Sequence, residues 1–119
     1  MNTARCKVEN GKLISKQTAN NLTDVIVTYL NLQGHFVWRQ NNGGVYDPKK
    51  KVFRKNPNHT KGVPDVCGVH KLGYALFVEV KAEGDRLSDE QKEFGVKAAA
   101  RGAIWIVAHS LDDVINFPL

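Results

Sequence analysis

The sequence predicts a single α/β domain with its elements in the order helix, three strands, helix, strand. An apolar stripe at helical spacing crosses residues 17–33, and a capping-box sequence at 88–91 opens a second helix. Runs of strand length and composition occupy 35–40, 65–70, 74–81 and 103–109. With 119 residues, the chain is long enough for one core and too short for two ordinary domains.

The first helix is predicted because apolar residues recur at i, i+3, i+4, i+7 and i+8 from Leu22 to Leu30. Ser15 or Thr18 can cap its start, and Gly34 stands where a helix commonly ends. Residues 1–16 precede it as an N-terminal extension.

A long basic loop or arm is predicted over residues 43–62, with a short hairpin around 45–46 and 52–53. Loops of this length in a compact domain are usually functional. Beyond it, the strands at 65–70 and 74–81 form a hairpin about a turn at 71–73. The second helix runs from Ser88 to Arg101, and a short helix at 110–117 follows the last strand.

Basic charge is concentrated in the middle of the chain. The whole chain carries +5, whereas residues 35–71 carry +6, residues 1–34 carry +2 and residues 72–119 carry −3. A polyanion such as nucleic acid is one explanation of this segment, and a solvated lysine-rich loop is the other.

Cysteine use and hydropathy limit the class of protein. Cys6 and Cys67 form no CxxC pair and cannot make a disulfide framework, so we expect free thiols in a reducing cytoplasm. No run of about 18 apolar residues exists, so we expect no membrane-spanning helix. Residues 1–12 lack the apolar stretch of a secretory signal.

Two carboxylates are predicted to meet across the hairpin. If the turn is centred on Leu72, Asp65 faces Glu79 with Cβ atoms roughly 5 Å apart. Like charges in this position destabilise a sheet, so a bound cation, a nearby lysine or a raised pKa must compensate them. Lys81 shares the face of Glu79 because side chains alternate along a strand. Oxygen ligands at this spacing suit Mg²⁺ or Mn²⁺ better than zinc.

Structural explanations exist for several of these residues. Asp after Pro is common in turns, and Glu-x-Lys on one strand can be a weak surface ion pair. Gln91 occupies the third helical position of the capping box, where it can serve local structure alone. Trp38 and Trp105 are expected in the core rather than as platforms for base stacking. Arg39 is expected to contact phosphate, and the alternative is that it covers Trp38.

Several motifs together resemble one nuclease family. Pro64-Asp65 followed by Glu79-Val80-Lys81 is similar to the PD-(D/E)xK signature of metal-dependent nucleases. The segments 62–68, 77–81 and 87–94, with Val37-Trp38-Arg39, resemble the VRR-NUC (virus-type replication-repair nuclease) family in its stand-alone phage and bacterial form. The resemblance spans about residues 18–117 and implies a restriction-endonuclease-like core, with a central mixed sheet flanked by helices.

The resemblance implies a metal-dependent, structure-specific DNA endonuclease and assigns its site. Asp65, Glu79 and the backbone carbonyl of Val80 would hold one or two Mg²⁺ or Mn²⁺ ions. Lys81 would position the attacking water, and Gln91 would orient the water or the lysine. The expected DNA contacts are Arg39, Asn42, Lys49, Lys50, Lys51, Arg54, Lys55 and Lys61. Similarity to Holliday junction resolvases implies a four-way junction as substrate, a homodimer, and a bacterial or phage-infected cell.

One departure from the family is expected to matter. The family usually supplies a further acid from the first helix, whereas residues 18–23 contain none and Asp24 lies on the opposite flank of the stripe. Asn20, Asn21 or Thr23 could replace it through a water. Two alternatives therefore stay open: a non-catalytic DNA-binding module with a degenerate site, and a nuclease subunit of a larger complex.

Overall fold

The computed structural model describes residues 6–9, 12–15, 19–40, 45–54 and 60–119, with side chains described for 21–40, 48–51 and 60–119. The elements, in chain order, are β1 (Cys6–Glu9), β2 (Lys12–Ser15), α1 (Ala19–Leu32), β3 (Phe36–Arg39), β4 (Val45–Asp47), β5 (Val52–Arg54), β6 (Val66–Val69), β7 (Ala75–Val80), α2 (Asp89–Ala100), β8 (Ile104–Ala108) and α3 (Leu111–Ile115). The helices and strands predicted from the sequence are confirmed, with small differences at their ends.

A four-stranded mixed sheet forms the centre of the domain. Its strand order is β3-β6-β7-β8, in which β3, β6 and β7 pair antiparallel and β8 runs parallel to β7. α2 is the crossover that the parallel pair requires. The predicted α/β class, with a mixed sheet flanked by helices, is confirmed.

α1 and α3 cover one face of this sheet. Leu22, Ile26 and Leu30 recur every four residues along α1 and are buried. They belong to one apolar cluster with Val114 of α3 and with the strand residues Val37, Val66, Leu76, Val78, Val80, Ile106 and Ala108. Because side chains alternate along a strand, residues 77 and 79 of β7 point to the opposite face.

α2 covers part of that opposite face. The ring of Phe77 meets the ring of Phe94 edge to face, with centroids 5.1 Å apart. Gly95 lies on the indole of Trp105, where a Cβ atom would fall 2.2 Å from the ring. This close approach holds α2 against β7 and β8, next to Glu79.

The N-terminal part and the basic loop each contain a hairpin. β1 pairs antiparallel with β2, a hairpin that the sequence analysis did not predict. Ser15 belongs to β2 and does not cap α1, while Thr18 lies outside the described residues. The arm predicted in the basic loop is confirmed as β4 paired with β5. No helix in the described part of the chain has the length and apolar character needed to cross a bilayer.

Candidate active site

The hairpin of β6 and β7 brings two carboxylates together in the predicted register. Val66 lies opposite Val78, so the next residues outward, Asp65 and Glu79, face each other. The backbone N–H of Gln40 donates to the carbonyl of Asp65 at 2.7 Å, which extends the pairing with β3 to this row. The fold therefore places both carboxylates at one end of the sheet, on the face that carries α2.

Specific donors hold the two carboxylates. The Val80 N–H donates to Asp65 Oδ2 at 3.1 Å. Glu79 is only 2% exposed, and its Oε1 accepts a hydrogen bond from Gln91 Nε2 at 3.1 Å. Its Oε2 is buried and has no hydrogen-bond donor among the described residues. A buried carboxylate oxygen with no donor is costly, and a bound cation would compensate it.

The environment of Glu79 favours its neutral form. Burial is the main cause, and the adjacent charge of Asp65 adds to the effect, raising the pKa of Glu79 to about 8. The ammonium of Lys81 acts in the opposite direction and lowers the pKa. Of the three compensations expected for facing carboxylates, the lysine and the raised pKa are therefore both present.

Gln91 serves the helix start and the carboxylate pair at once. Its Oε1 accepts the Ser88 N–H at 2.8 Å, and its own N–H donates to Ser88 Oγ at 3.2 Å, which completes the capping box. The Nε2 end of the same side chain donates to Glu79. The two roles considered from the sequence are thus compatible, because each uses a different end of the amide.

Gly62 fixes the loop that leads to Asp65. It has a φ of +76°, and a Cβ atom there would lie 2.3 Å from the Glu90 carbonyl oxygen. Only glycine allows both this backbone conformation and this approach. The loop is consequently seated on the start of α2, beside Gln91.

Within the part of the chain that the structure describes, the hairpin brings two carboxylates together, and no third joins them. No group of three or more His, Cys, Asp and Glu side chains able to hold a metal occurs among the described residues. Asp24 instead pairs with Arg39, with 3.1 Å between Oδ1 and Nη1. Thr23 is buried and Asn21 half-buried, while the side chain of Asn20 lies outside the described set. The donor set fits a hard cation that takes oxygen ligands and keeps several waters, as Mg²⁺ does.

Comparison with known families identifies the family to which the chain belongs. The VRR-NUC domain family matches residues 30–112, which include β3, the carboxylate hairpin, α2 and β8. The chain belongs to the VRR-NUC domain family. Membership indicates a nuclease-type function with DNA as substrate, and nucleases of this type typically use divalent metals. A comparison with curated proteins found no match.

The predicted DNA contacts of this VRR-NUC domain are spread over several elements. Arg39 is exposed at the end of β3 in its ion pair with Asp24, and Lys61 is exposed beside Gly62. Lys49, Lys50 and Lys51 are exposed in the turn between β4 and β5, and the backbone of Arg54 lies in β5. The side chain of Arg54, together with Asn42 and Lys55, lies outside the described residues. All of these assignments stay predictions.

Trp38 corrects one expectation about this domain. It was expected in the core, but it is 43% exposed, on the same face of the sheet as Asp65. Its neighbour Val37 is buried, and alternation along β3 could have placed Trp38 outside the main core.

Trp105 is half-buried beneath α2. Cys67 is buried between Trp38 and Phe77 in the register, and burial raises the pKa of its thiol to about 11.

The raised pKa of Glu79 predicts an unusual pH dependence of stability. Without metal, the folded protein keeps the proton up to about pH 8, whereas the unfolded chain loses it near the ordinary value of 4.5. The folded state therefore binds more protons between these limits, and the free energy of unfolding should fall as pH rises from 4.5 to 8. Each unit of pKa difference is worth about 1.4 kcal/mol. Denaturant unfolding in EDTA across this range measures the effect.

A paired variant isolates this contribution from those of other groups. Glu79→Gln should remove the fall in the free energy of unfolding between pH 4.5 and 8. Glu83→Gln, the same change at an exposed carboxylate, should leave that fall unchanged. Adding Mg²⁺ or Mn²⁺ at pH 8 should raise the free energy of unfolding of the wild-type protein, because an ion that binds only the folded state stabilises it. An identical pH slope in Glu79→Gln and wild type would contradict the buried proton.

Proposed function

We propose that this VRR-NUC domain is a Mg²⁺- or Mn²⁺-dependent endonuclease that hydrolyses phosphodiester bonds in branched DNA. The observation that carries the proposal is the pair of a half-buried Asp65 and a buried Glu79, in which one oxygen of Glu79 has no donor among the described residues. Such a pair destabilises the free protein, and a bound cation would remove this destabilisation. The carboxylate pair is therefore better explained by a function in cation binding than by a contribution to folding.

Each residue of the site has a distinct role in this proposal. Asp65 and Glu79 would hold the cation, with the carbonyl of Val80 as a further oxygen ligand. The bound cation would supply Lewis-acid activation of the phosphodiester and of water. The Val80 N–H keeps Asp65 in place, and Gln91 keeps Glu79 in place. Lys81 would bring a positive charge to the phosphate oxygens as negative charge builds up on them.

Four-way junctions are the proposed substrate, cut by a homodimer. Opposing strands of a junction are related by two-fold symmetry, and a dimer with the same symmetry presents two identical sites to them. The concentration of positive charge in residues 35–71 supports binding to the phosphates that surround a branch point.

A second candidate is a DNA-binding module that does not cleave. The observation in its favour is the pairing of Asp24 with Arg39, which leaves two carboxylates in the described site. Fewer anionic ligands weaken the binding of a divalent cation. The same cleavage experiment separates this candidate from the nuclease.

The site variants should separate metal binding from catalysis. Asp65→Asn and Glu79→Gln should each slow cleavage at least about a hundredfold, because several kcal/mol of charge stabilisation is lost with the cation. Lys81→Ala should slow cleavage while keeping cation binding measurable by calorimetry. Cleavage is measured on junction, flap, single-stranded and linear duplex DNA, with Mg²⁺, Mn²⁺ or EDTA.

Controls and mixed dimers complete this test. Asp112→Asn, an exposed acid on α3, should cleave at the wild-type rate. Dimers that combine one wild-type and one Glu79→Gln chain should nick one strand of a junction only. Wild-type protein that binds junctions but cuts nothing with either metal would favour the DNA-binding module.

The basic arm should bind phosphates without reading bases. Replacing Lys49, Lys50 and Lys51 together with alanine should weaken DNA binding and reduce the slope of log K against log salt by up to about 2.7, or about 0.9 per lost phosphate contact. The matched control replaces three other exposed lysines, Lys71, Lys92 and Lys97. Titrations at several salt concentrations measure both slopes. Equal slopes in the two triple variants would show that the arm does not contact DNA.

A further inference from the structure

Two aromatic rings stand exposed on the edge strand of the sheet. Phe36 is 67% exposed and Trp38 is 43% exposed, and their ring centroids lie 5.4 Å apart at an angle of 55°. The indole N–H of Trp38 donates to Gln40 Oε1 at 3.4 Å, which helps to fix its orientation. Val69, directly opposite Phe36 on β6, is 41% exposed and extends the same apolar surface.

This surface lies on the same face as the carboxylate pair. Trp38 pairs with Cys67, which is two residues from Asp65 on β6, and the pairing continues to Gln40 beside Asp65. Side chains two residues apart on a strand share a face and are roughly 7 Å apart. Trp38 therefore stands about one row of side chains away from the proposed cation site.

We propose that Phe36 and Trp38 form a stacking site for an unpaired DNA base next to the scissile phosphate. The flat faces of bases stack on exposed aromatic side chains, and this stacking is tolerant of sequence. In a duplex the base faces are covered by their neighbours, so the rings select nucleotides without a stacked partner. The inference rests on the proposed function, because it places the DNA strand across the same site.

The location and charge favour nucleic acid over a protein partner. Trp38 lies one row of side chains from Asp65, within reach of a strand bound there, and the sequence segment 35–71 that contains both rings carries a net charge of +6. Two rings and one valine are also far fewer than the roughly 20 residues that each side of a stable protein interface contributes. A small aromatic surface on the face that carries the carboxylate pair, in the basic part of the sequence, matches the chemistry of a single-stranded segment.

Fluorescence of 2-aminopurine tests the stacking directly. The probe is placed as an unpaired nucleotide at the end of a short duplex, and binding is measured with Asp65→Asn as the parent protein so that no cleavage occurs. Stacking on the rings should quench the probe. Trp38→Ala in this parent should remove most of the quenching and weaken binding about 5- to 150-fold, as loss of one stacked base does.

Matched variants and a paired substrate make the result specific. Trp38→Phe should restore most of the affinity, and Leu72→Ala, at an apolar residue in the turn after β6 that is 72% exposed, should change nothing. Phe36→Ala should weaken binding in the same direction as Trp38→Ala. Binding to the blunt duplex without the unpaired nucleotide should change less than twofold in every variant.

The outcomes separate this inference from the proposed nuclease. If Trp38→Ala lowers the affinity for the blunt duplex and for the substrate with an unpaired nucleotide equally, or lowers neither, the stacking site is wrong even if the wild-type protein cuts DNA. Quenching that depends on Trp38 would support it even if wild type cuts nothing. If Trp38→Ala leaves binding unchanged but halves the mass found by light scattering, the surface joins two copies and the inference is wrong.

Discussion

The antiparallel pairing of β6 with β7 is the constraint on which the site depends. This register sets Asp65 opposite Glu79 and directs Glu79 away from the apolar core formed with α1 and α3. Facing carboxylates repel each other, and burial adds a desolvation cost. A pKa raised to about 8 keeps Glu79 protonated at neutral pH, and we propose that a bound cation takes the place of this proton.

The contacts of α2 make this arrangement rigid. Gly95 brings the helix onto Trp105, and the resulting position lets Gln91 reach Glu79 while it caps the helix. Gly62 seats the loop before Asp65 on the same helix end. Gln91 is fixed by the helix start and in turn fixes the carboxylate of Glu79. Cleavage of a phosphodiester requires such a fixed geometry of the groups around it. The helix start and the carboxylates are therefore coupled through one side chain.

Much of this arrangement could be predicted from the sequence, and the reasons are local. The short turn at 71–73 determines which residues pair, so the meeting of Asp65 and Glu79 follows from counting along the chain. The capping box likewise marks the start of α2. Alternation along β3 places Trp38 on the face opposite the main core, but its exposure on that face depends on where α2 crosses the sheet. That crossing is set by the contact of Gly95 with Trp105, a packing contact between α2 and β8 that no local sequence pattern indicates.

The proposed exchange of a proton for a cation at Glu79 can be measured by calorimetry. Mg²⁺ or Mn²⁺ is titrated at pH 6.5 in buffers of different ionisation enthalpy, which gives the number of protons released per ion site. We expect about one proton per chain at pH 6.5, decreasing toward zero at pH 9, because only a protonated Glu79 has a proton to lose. Cation binding that releases no proton at pH 6.5, or that persists unchanged in Glu79→Gln, would contradict it.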